Sequence, residues 1–247
     1  MVSMSPSLVR TALLAVILML PAGLVLGQER VRESRSVEAF TEIKYGIPGT
    51  LHVRQGEEAS LEIEASEEVI AQIETTVDGS ALEIMAEGET GFFARLFGDS
   101  DLDADEIDVY VTAPTIEHLT LAGSGQVIGE TPLQAASLSL KVAGSGDMDL
   151  DVDAEELNVR IAGSGGCFVR GRAGSLDVNI AGSGDLRADE LETQRAEVQI
   201  AGSGDVEVHV TDHLSAQIFG SGDVRYRGRP TIETNTYGSG TVGPIKG

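Results

Sequence analysis

The chain has 247 residues with 40 acidic against 17 basic side chains, a formal charge of −23, which argues against nucleic acid or an anionic membrane surface as a partner. Glycine occurs 30 times, aromatic residues make up 4% and tryptophan is absent, a balance that suits many tight turns around a thin aliphatic core better than a helical bundle. A single cysteine, Cys167, excludes an intrachain disulfide, so stability has to come from burial and backbone pairing.

Residues 1–27 read as a secretory signal. Arg10 stands in a segment without acids, "TALLAVILML" and "AGLVL" are apolar, Pro21 breaks the run, and small residues lead to a cleavage point after Gly27. No cysteine lies near that point to take a lipid. Cleavage removes one base and no acid, leaving 16 bases against 40 acids, or −24. Retained, Leu8 to Leu26 is long enough to act as a membrane anchor; cleavage, with no span in the mature chain, is the reading preferred.

Residues 28–115 alternate apolar and polar positions in "TLHVRQG", "ASLEIEAS", "AQIETTV", "SALEIMA" and "EIDVYVTAP", all strand patterns, and Asp78-Gly79 is a tight-turn pair. This part is expected to form a β-rich N-terminal cap, either as coils with irregular corners or as a small sheet packed on the C-terminal half of the chain. The rhythm breaks at residues 88–106, where Phe92, Phe93 and Phe97 precede an acidic run. These rings either cap the fold or stand in a partly exposed loop that contacts a partner, and the glycines and acids around them favour the loop.

From residue 116 to 247 a repeat takes over. Gly-Ser-Gly begins at Gly123, Gly144, Gly163, Gly182, Gly202, Gly220 and Gly238, at steps of 21, 19, 19, 20, 18 and 18 residues. That period fits one coil of a parallel β-solenoid, or β-helix. Apolar residues alternate before each corner, as in Leu138, Leu140, Val142 and Leu157, Val159, Ile161, and resume after it, as in Met148 and Leu150. Each coil therefore holds at least two strands joined by a glycine corner, with equivalent side chains stacked in inward ladders. Cys167 falls in such a ladder and reads as buried filler rather than a reactive thiol. The tail "VGPIKG" looks suited to blunt the last open edge.

Outward positions give the candidate sites. Just before the corner stand Ala122, Ala143, Ala162, Ala181 and Ala201, then Phe219 and Tyr237, which form either a recognition patch or a cap on the last coils. The column beside them, Lys141, Arg160, Asn179, Gln199, Gln217 and Asn235, is an amide ladder able to bind an extended glycan, but it is what a solvated face normally looks like, and that is the reading preferred. Two residues past the Asp corner position, Asp149, Arg187, Glu207 and Arg225 place opposite charges in neighbouring coils, which fixes stacking register.

The repeated corner carries no recognisable catalysis. Seven corner serines meet only four histidines, His52, His118, His209 and His213, so a serine-hydrolase triad is not expected. No Lys-Ser or Lys-Thr follows the glycines to make a phosphate loop. His209 and His213 have metal-ligand spacing only on a helix, and a strand is expected there. Asp185, Asp205 and Asp223 follow successive corners and form a column in which neighbouring charges repel by about 1 kcal/mol even at water's dielectric. Backbone amides donating to the carboxylates, or bound calcium, would offset that repulsion. No other cofactor is expected.

With its lead-in "VRQGEEASLEIEAS", the stretch "IDVYVTAPTIEHLTLAGSGQV" and the serial "AGSGD" corners, the chain resembles the head GIN domain family of auto-transporter adhesins over about residues 37–243. The resemblance implies a bacterial exported envelope or surface protein with a parallel β-helix-like fold and supplies no catalytic residue. No translocator barrel follows residue 247, so classical self-export is not expected. The reading is a non-enzymatic adhesin or binding scaffold, periplasmic or at the cell surface, whose partner is a protein or glycan. Its alternatives are a calcium-stabilised structural module and a polysaccharide-processing β-helix enzyme, the latter needing carboxylates clustered in one cleft.

Overall fold

The computed structural model describes residues 30–86 and 107–245; the expected signal segment at 1–27 and the expected loop at 88–106 lie outside the described residues. Within the described residues, hydrogen bonds join 17 strands into one continuous sheet. Five of these strands, β10 (Leu133–Gly144), β11 (Asp147–Gly163), β12 (Gly166–Gly182), β13 (Asp185–Gly202) and β14 (Val206–Gly220), each end on the first glycine of a Gly-Ser-Gly corner. They pair in parallel with the corner glycines aligned, so the chain winds as a β-solenoid.

Each coil has a second, softer bend. In β11 the alternation slips at Glu155 and Glu156, both exposed, between inward Ala154 and inward Leu157. The strand halves on either side of the glycine corner therefore turn their apolar faces toward one core. Leu138, Leu157, Leu176, Ala196 and Leu214 stack in register, as do Val142, Ile161, Ile180, Ile200 and Ile218. Past the corner the ladder is Met148, Cys167, Leu186, Val206 and Val224. All of them are buried, and a fully buried aliphatic side chain of this size contributes about 1.5–3 kcal/mol. A slip of one residue would turn a whole ladder to solvent, so packing and pairing select the same register.

Coil lengths differ, yet the corners stay aligned because the variation is absorbed elsewhere. The step from Gly182 to Gly202 is one residue longer than the step before it, and the pairing of β12 with β13 shifts between Phe168 and Arg170. Further shifts beside Ala188 and Thr193 restore the shorter coil that comes next. Thr193, at the softer bend, is 1% exposed and satisfies its hydroxyl on the Arg195 carbonyl at 3.1 Å.

The N-terminal part stacks out of chain order. Strands β2 (Glu42–Tyr45) and β3 (Thr50–Gln55) make a coil around the corner Gly46-Ile47-Pro48-Gly49. That coil lies between β6 (Ala81–Ala86) and β7 (Asp108–Ala113) on one side and β8 (His118–Gly123) and β9 (Gln126–Gly129) on the other, parallel to both. Antiparallel strands close this end: β1 (Val31–Arg35) on β4 (Ser60–Ala65), β4 on β7, and β5 (Ile73–Asp78) on β6. A single helical turn, α1 (Glu67–Ile70), sits between β4 and β5, with the Ser66 hydroxyl accepting from the Val69 amide at 3.3 Å. Tyr45 is fully buried beneath the variant corner and donates to the Pro48 carbonyl at 3.1 Å. At the other end β15 (Val224–Gly228) and β16 (Thr231–Gly238) continue the coils, and the tail adds a last half coil, β17 (Val242–Pro244), parallel to β15. No helix among the described residues is long and apolar enough to cross a membrane.

The corner glycines serve two purposes that can be separated. Their φ values run from +91° at Gly123 to +146° at Gly202, and at Gly182 a Cβ would also collide with the carbonyl oxygen of Gly163 in the preceding coil. At Gly123 a Cβ would meet nothing within 4 Å. Gly182→Ala should therefore cost about 3 kcal/mol or more in urea unfolding, and Gly123→Ala only the conformational part, about 1–2 kcal/mol. Equal losses would show that close stacking is not what the Gly182 corner requires.

Candidate functional site

The corner itself is a hydrogen-bonded ladder. The serine amide of each corner donates to the first-glycine carbonyl of the corner before it: Ser145 to Gly123 at 2.9 Å, Ser164 to Gly144 at 2.9 Å, Ser183 to Gly163 at 2.8 Å, and Ser203, Ser221 and Ser239 likewise. The corner serine side chains are exposed. The backbones of successive corners are thus committed to stacking on one another.

The aspartate column continues the same logic. Asp185 Oδ1 accepts the Asp205 amide at 2.8 Å, Asp205 Oδ1 accepts the Asp223 amide at 2.9 Å, and Asp223 Oδ1 accepts both the amide and the hydroxyl of Thr241, at 2.9 and 2.7 Å. Asp147 does the same for Gly166 at 2.8 Å. One carboxylate oxygen of each is thus held by the next coil, and Arg225 lies 3.7 Å from both Asp205 and Asp223. No group of three or more histidine, cysteine, aspartate or glutamate side chains among the described residues is placed to hold a metal ion. His209 and His213 both lie in β14, opposite Arg227 and Thr231.

On the outer face after the corner, Asp149, Phe168, Arg187, Glu207 and Arg225 stand in register. The Arg225–Glu207 pair closes at 3.2 Å, whereas Asp149 pairs at 3.0 Å with Arg170, whose guanidinium lies 5.2 Å from the Phe168 ring centre. Cys167, behind this face, is 3% exposed, and burial, helped by Asp147 and Asp149, pushes its thiol up to about 12. It remains a neutral apolar filler at physiological pH.

The face before the corner is the candidate binding surface. Its columns align as the spacing predicts: Lys141 to Asn235 in one, Ala122 to Tyr237 in the next. The Asn179 and Gln199 amides donate to Asp177 and Glu197 on their own strands at 2.6 and 3.2 Å. Phe219 and Tyr237 are not buried as a plug; they are 51% and 65% exposed. Their rings stack with centres 5.1 Å apart and planes 3° from parallel. The next position in the column is Ala201, so Phe219 ends a shallow groove of about 320 Å³ whose lining includes Ala162, Ala181, Arg160, Asn179 and Gln199. Phe92, Phe93 and Phe97 lie outside the described residues.

One polar cluster was not foreseen, because it depends on the out-of-order coil. His52 of β3 lies with Nε2 3.0 Å from Asp108 and Nδ1 3.5 Å from Glu130, and stacks on Tyr110 at 4.6 Å. Arg30 reaches Asp108 at 2.6 Å, Arg54 reaches Glu130 at 2.8 Å, and Arg32 covers Tyr110 at 4.5 Å. Burial pushes the Asp108 carboxyl up, but hydrogen bonds from Arg30 and His52 outweigh it and hold the group below its ordinary value. These residues come from β1 and the residue before it, β3, β7 and the turn after β9, so the cluster ties the N-terminal strands to the solenoid.

Parallel coils of nearly constant length, alternating strands and glycine corners stacked on one another define a β-solenoid, with a shallow groove on the face before the corner. The sequence profile of the family described as "Putative auto-transporter adhesin, head GIN domain" matches residues 39–230, and the chain belongs to that family. No curated protein is significantly similar in sequence. A "putative adhesin" from Bacteroides fragilis superposes with a TM-score of 0.79 at 23% identity, covering 89% of this chain and 98% of its own. A "putative adhesin" from Parabacteroides distasonis gives 0.69 at 22%, covering 88% and 97%. A "Putative lipid binding protein" from the same species gives 0.67 at 23%, also covering 88% and 97%. At these identities the likeness concerns the fold.

Two outcomes are expected of the aspartate column. Hydrogen bonds from Thr241 hold the Asp223 carboxyl below its ordinary 3.8, so its contribution is complete at neutral pH and is lost as pH falls through the lowered folded-state value. Asp223→Asn should therefore lower the melting temperature at pH 7 by a few degrees and flatten its decline in acid, as read by circular dichroism. Since amides already occupy the column, the melting temperature in EDTA and in millimolar calcium should agree; a rise of many degrees with calcium but not magnesium would make it an ion site.

Proposed function

We propose that the protein is a non-enzymatic adhesin, exported to the cell envelope or surface, that binds a protein or glycan through the solenoid face ahead of the glycine corners. The single observation that carries this reading is the Phe219–Tyr237 stack, two large rings exposed together at the end of a groove. A protein that only needed to finish its core would turn such rings inward, and contiguous exposed aromatic surface is characteristic of interaction sites. Sugar rings and apolar side chains both pack on aromatic faces, and the neighbouring amide and guanidinium groups of Gln199, Asn179 and Arg160 supply directional hydrogen bonds along the same face. The adhesin description of the family supports a surface role, and residues 1–27 supply the export signal. Phe92, Phe93 and Phe97 are a second candidate contact.

The test is a paired substitution, Phe219→Ser with Tyr237→Ser, read as retention of protein-coated beads on immobilised glycans and matrix proteins. Retention by the wild-type protein should fall at least tenfold in the variant, with the melting temperature changed by no more than about 2 °C, since exposed substitutions usually cost less than about 0.5 kcal/mol. A large loss of stability with unaltered retention would assign the rings to capping the last coils and overturn this reading.

A further inference from the structure

The two ends of the solenoid are finished differently. At the N-terminal end the outermost strands, β1 and β5, each have one paired neighbour, and both edges are obstructed. Arg32, Glu33 and Arg35 make β1 mostly charged. Arg35 donates to the Ile73 carbonyl at 2.7 Å, to Thr75 Oγ1 at 3.1 Å and to the Ile70 carbonyl at 3.1 Å, so a guanidinium sits against backbone that another strand would use. Charges and capped carbonyls of this kind prevent strand addition.

At the C-terminal end these devices are missing from the last long strand. Among the described residues β16 pairs only with β14, and all eight of its residues are exposed. It holds one charge, Glu233, and neither proline nor a register shift. Ile232 stacks on inward-facing Leu214, yet is 38% exposed.

We propose that this end is a self-association surface, where β16 pairs antiparallel with β16 of a second copy about a two-fold axis to give a tail-to-tail dimer. The strand is compatible with its own reverse. With the axis at Thr234, Ile232 faces the second copy's Thr236, Glu233 its Asn235, Thr234 its counterpart and Tyr237 its Thr231, so no like charges meet and β-branched residues dominate the pairs. β17 extends the other half of this end by one strand, so the contact is the edge of β16 itself: a strand of this length spans about 26 Å and with side chains on both faces is about 12 Å wide, so the pair buries about 600 Å², the size of a weak, concentration-dependent contact. Because only one end is open, association closes at two copies and does not grow into a filament. The inference is independent of the ligand of the Phe219 groove, although a two-fold axis normal to the sheet sets two grooves on one side, where they would act together on a multivalent partner.

Sedimentation velocity between low and high micromolar concentration tests this. The wild-type protein should reach twice the chain mass, Thr234→Lys and Thr234→Glu should each remain at the single mass with an unchanged circular dichroism spectrum, and an equimolar mixture of the two variants should regain the double mass. Amide exchange on the wild-type protein provides a reading that needs no variant, with protection of β16 increasing with concentration. A single mass at every wild-type concentration, a dimer that survives Thr234→Lys, mass that keeps growing, or β16 protection unaffected by dilution would overturn the proposal.

Discussion

The approach of one glycine corner to the next is the contact on which the other features depend. The serine amide of each corner donates to the glycine carbonyl of its predecessor, and that bond is possible only where no Cβ stands between the two backbones. Once corners are set at strand spacing, inward and outward positions on both flanking strands are fixed, because side chains alternate strictly along each. The ladders of leucine, isoleucine and valine are then a packing consequence, and irregularities in coil length have to be accommodated away from the glycine corner. The pairing shifts after Phe168 and Ala188 lie between the corner and the softer bend, and the one after Thr193 lies at the bend.

Stacking identical coils also stacks identical charges, and the molecule deals with this locally. Each corner aspartate gives an oxygen to the amide of the next coil, and arginines such as Arg225 sit among neighbouring carboxylates. A strongly acidic chain can therefore keep an aspartate at successive corners without a clustered ligand set among its described residues. The exposed carboxylates contribute little to stability individually.

Function on such a scaffold has to come from departures from the repeat, because a position that recurs in every coil is explained by stacking. Two departures are clear, one in an outer column and one in the inward ladders. Alanine gives way to Phe219 and Tyr237 ahead of the last two corners, and the inward ladders finish in Ile232, Thr234 and Thr236, which remain exposed. One alters a face and the other an end. A solenoid offers these two kinds of surface for different purposes, since a face reads a partner laid across the coils whereas an edge offers hydrogen bonds to a further strand.

The sequence by itself determined the coil. Recurrence of Gly-Ser-Gly, alternation on both sides of it and the offset of each side chain from the corner were enough to place Cys167 in the core, to align Phe219 with Tyr237 and to stack Asp205 on Asp223, because these relations are local and repeat with the period. Only the tertiary structure decided what depends on contacts without a period. The coil of β2 and β3 lies between strands that come later in the chain, a placement that no spacing records, and the cluster of His52, Asp108 and Glu130 exists because of it. The choice of backbone amides as the partners of the aspartate column, and the obstruction of one end by Arg35 while β16 is left open, likewise rest on distances between segments far apart in sequence. Hydrogen bonds and burial are settled by which surfaces meet, and in a repeat protein that is least constrained by sequence where the repeat begins and ends.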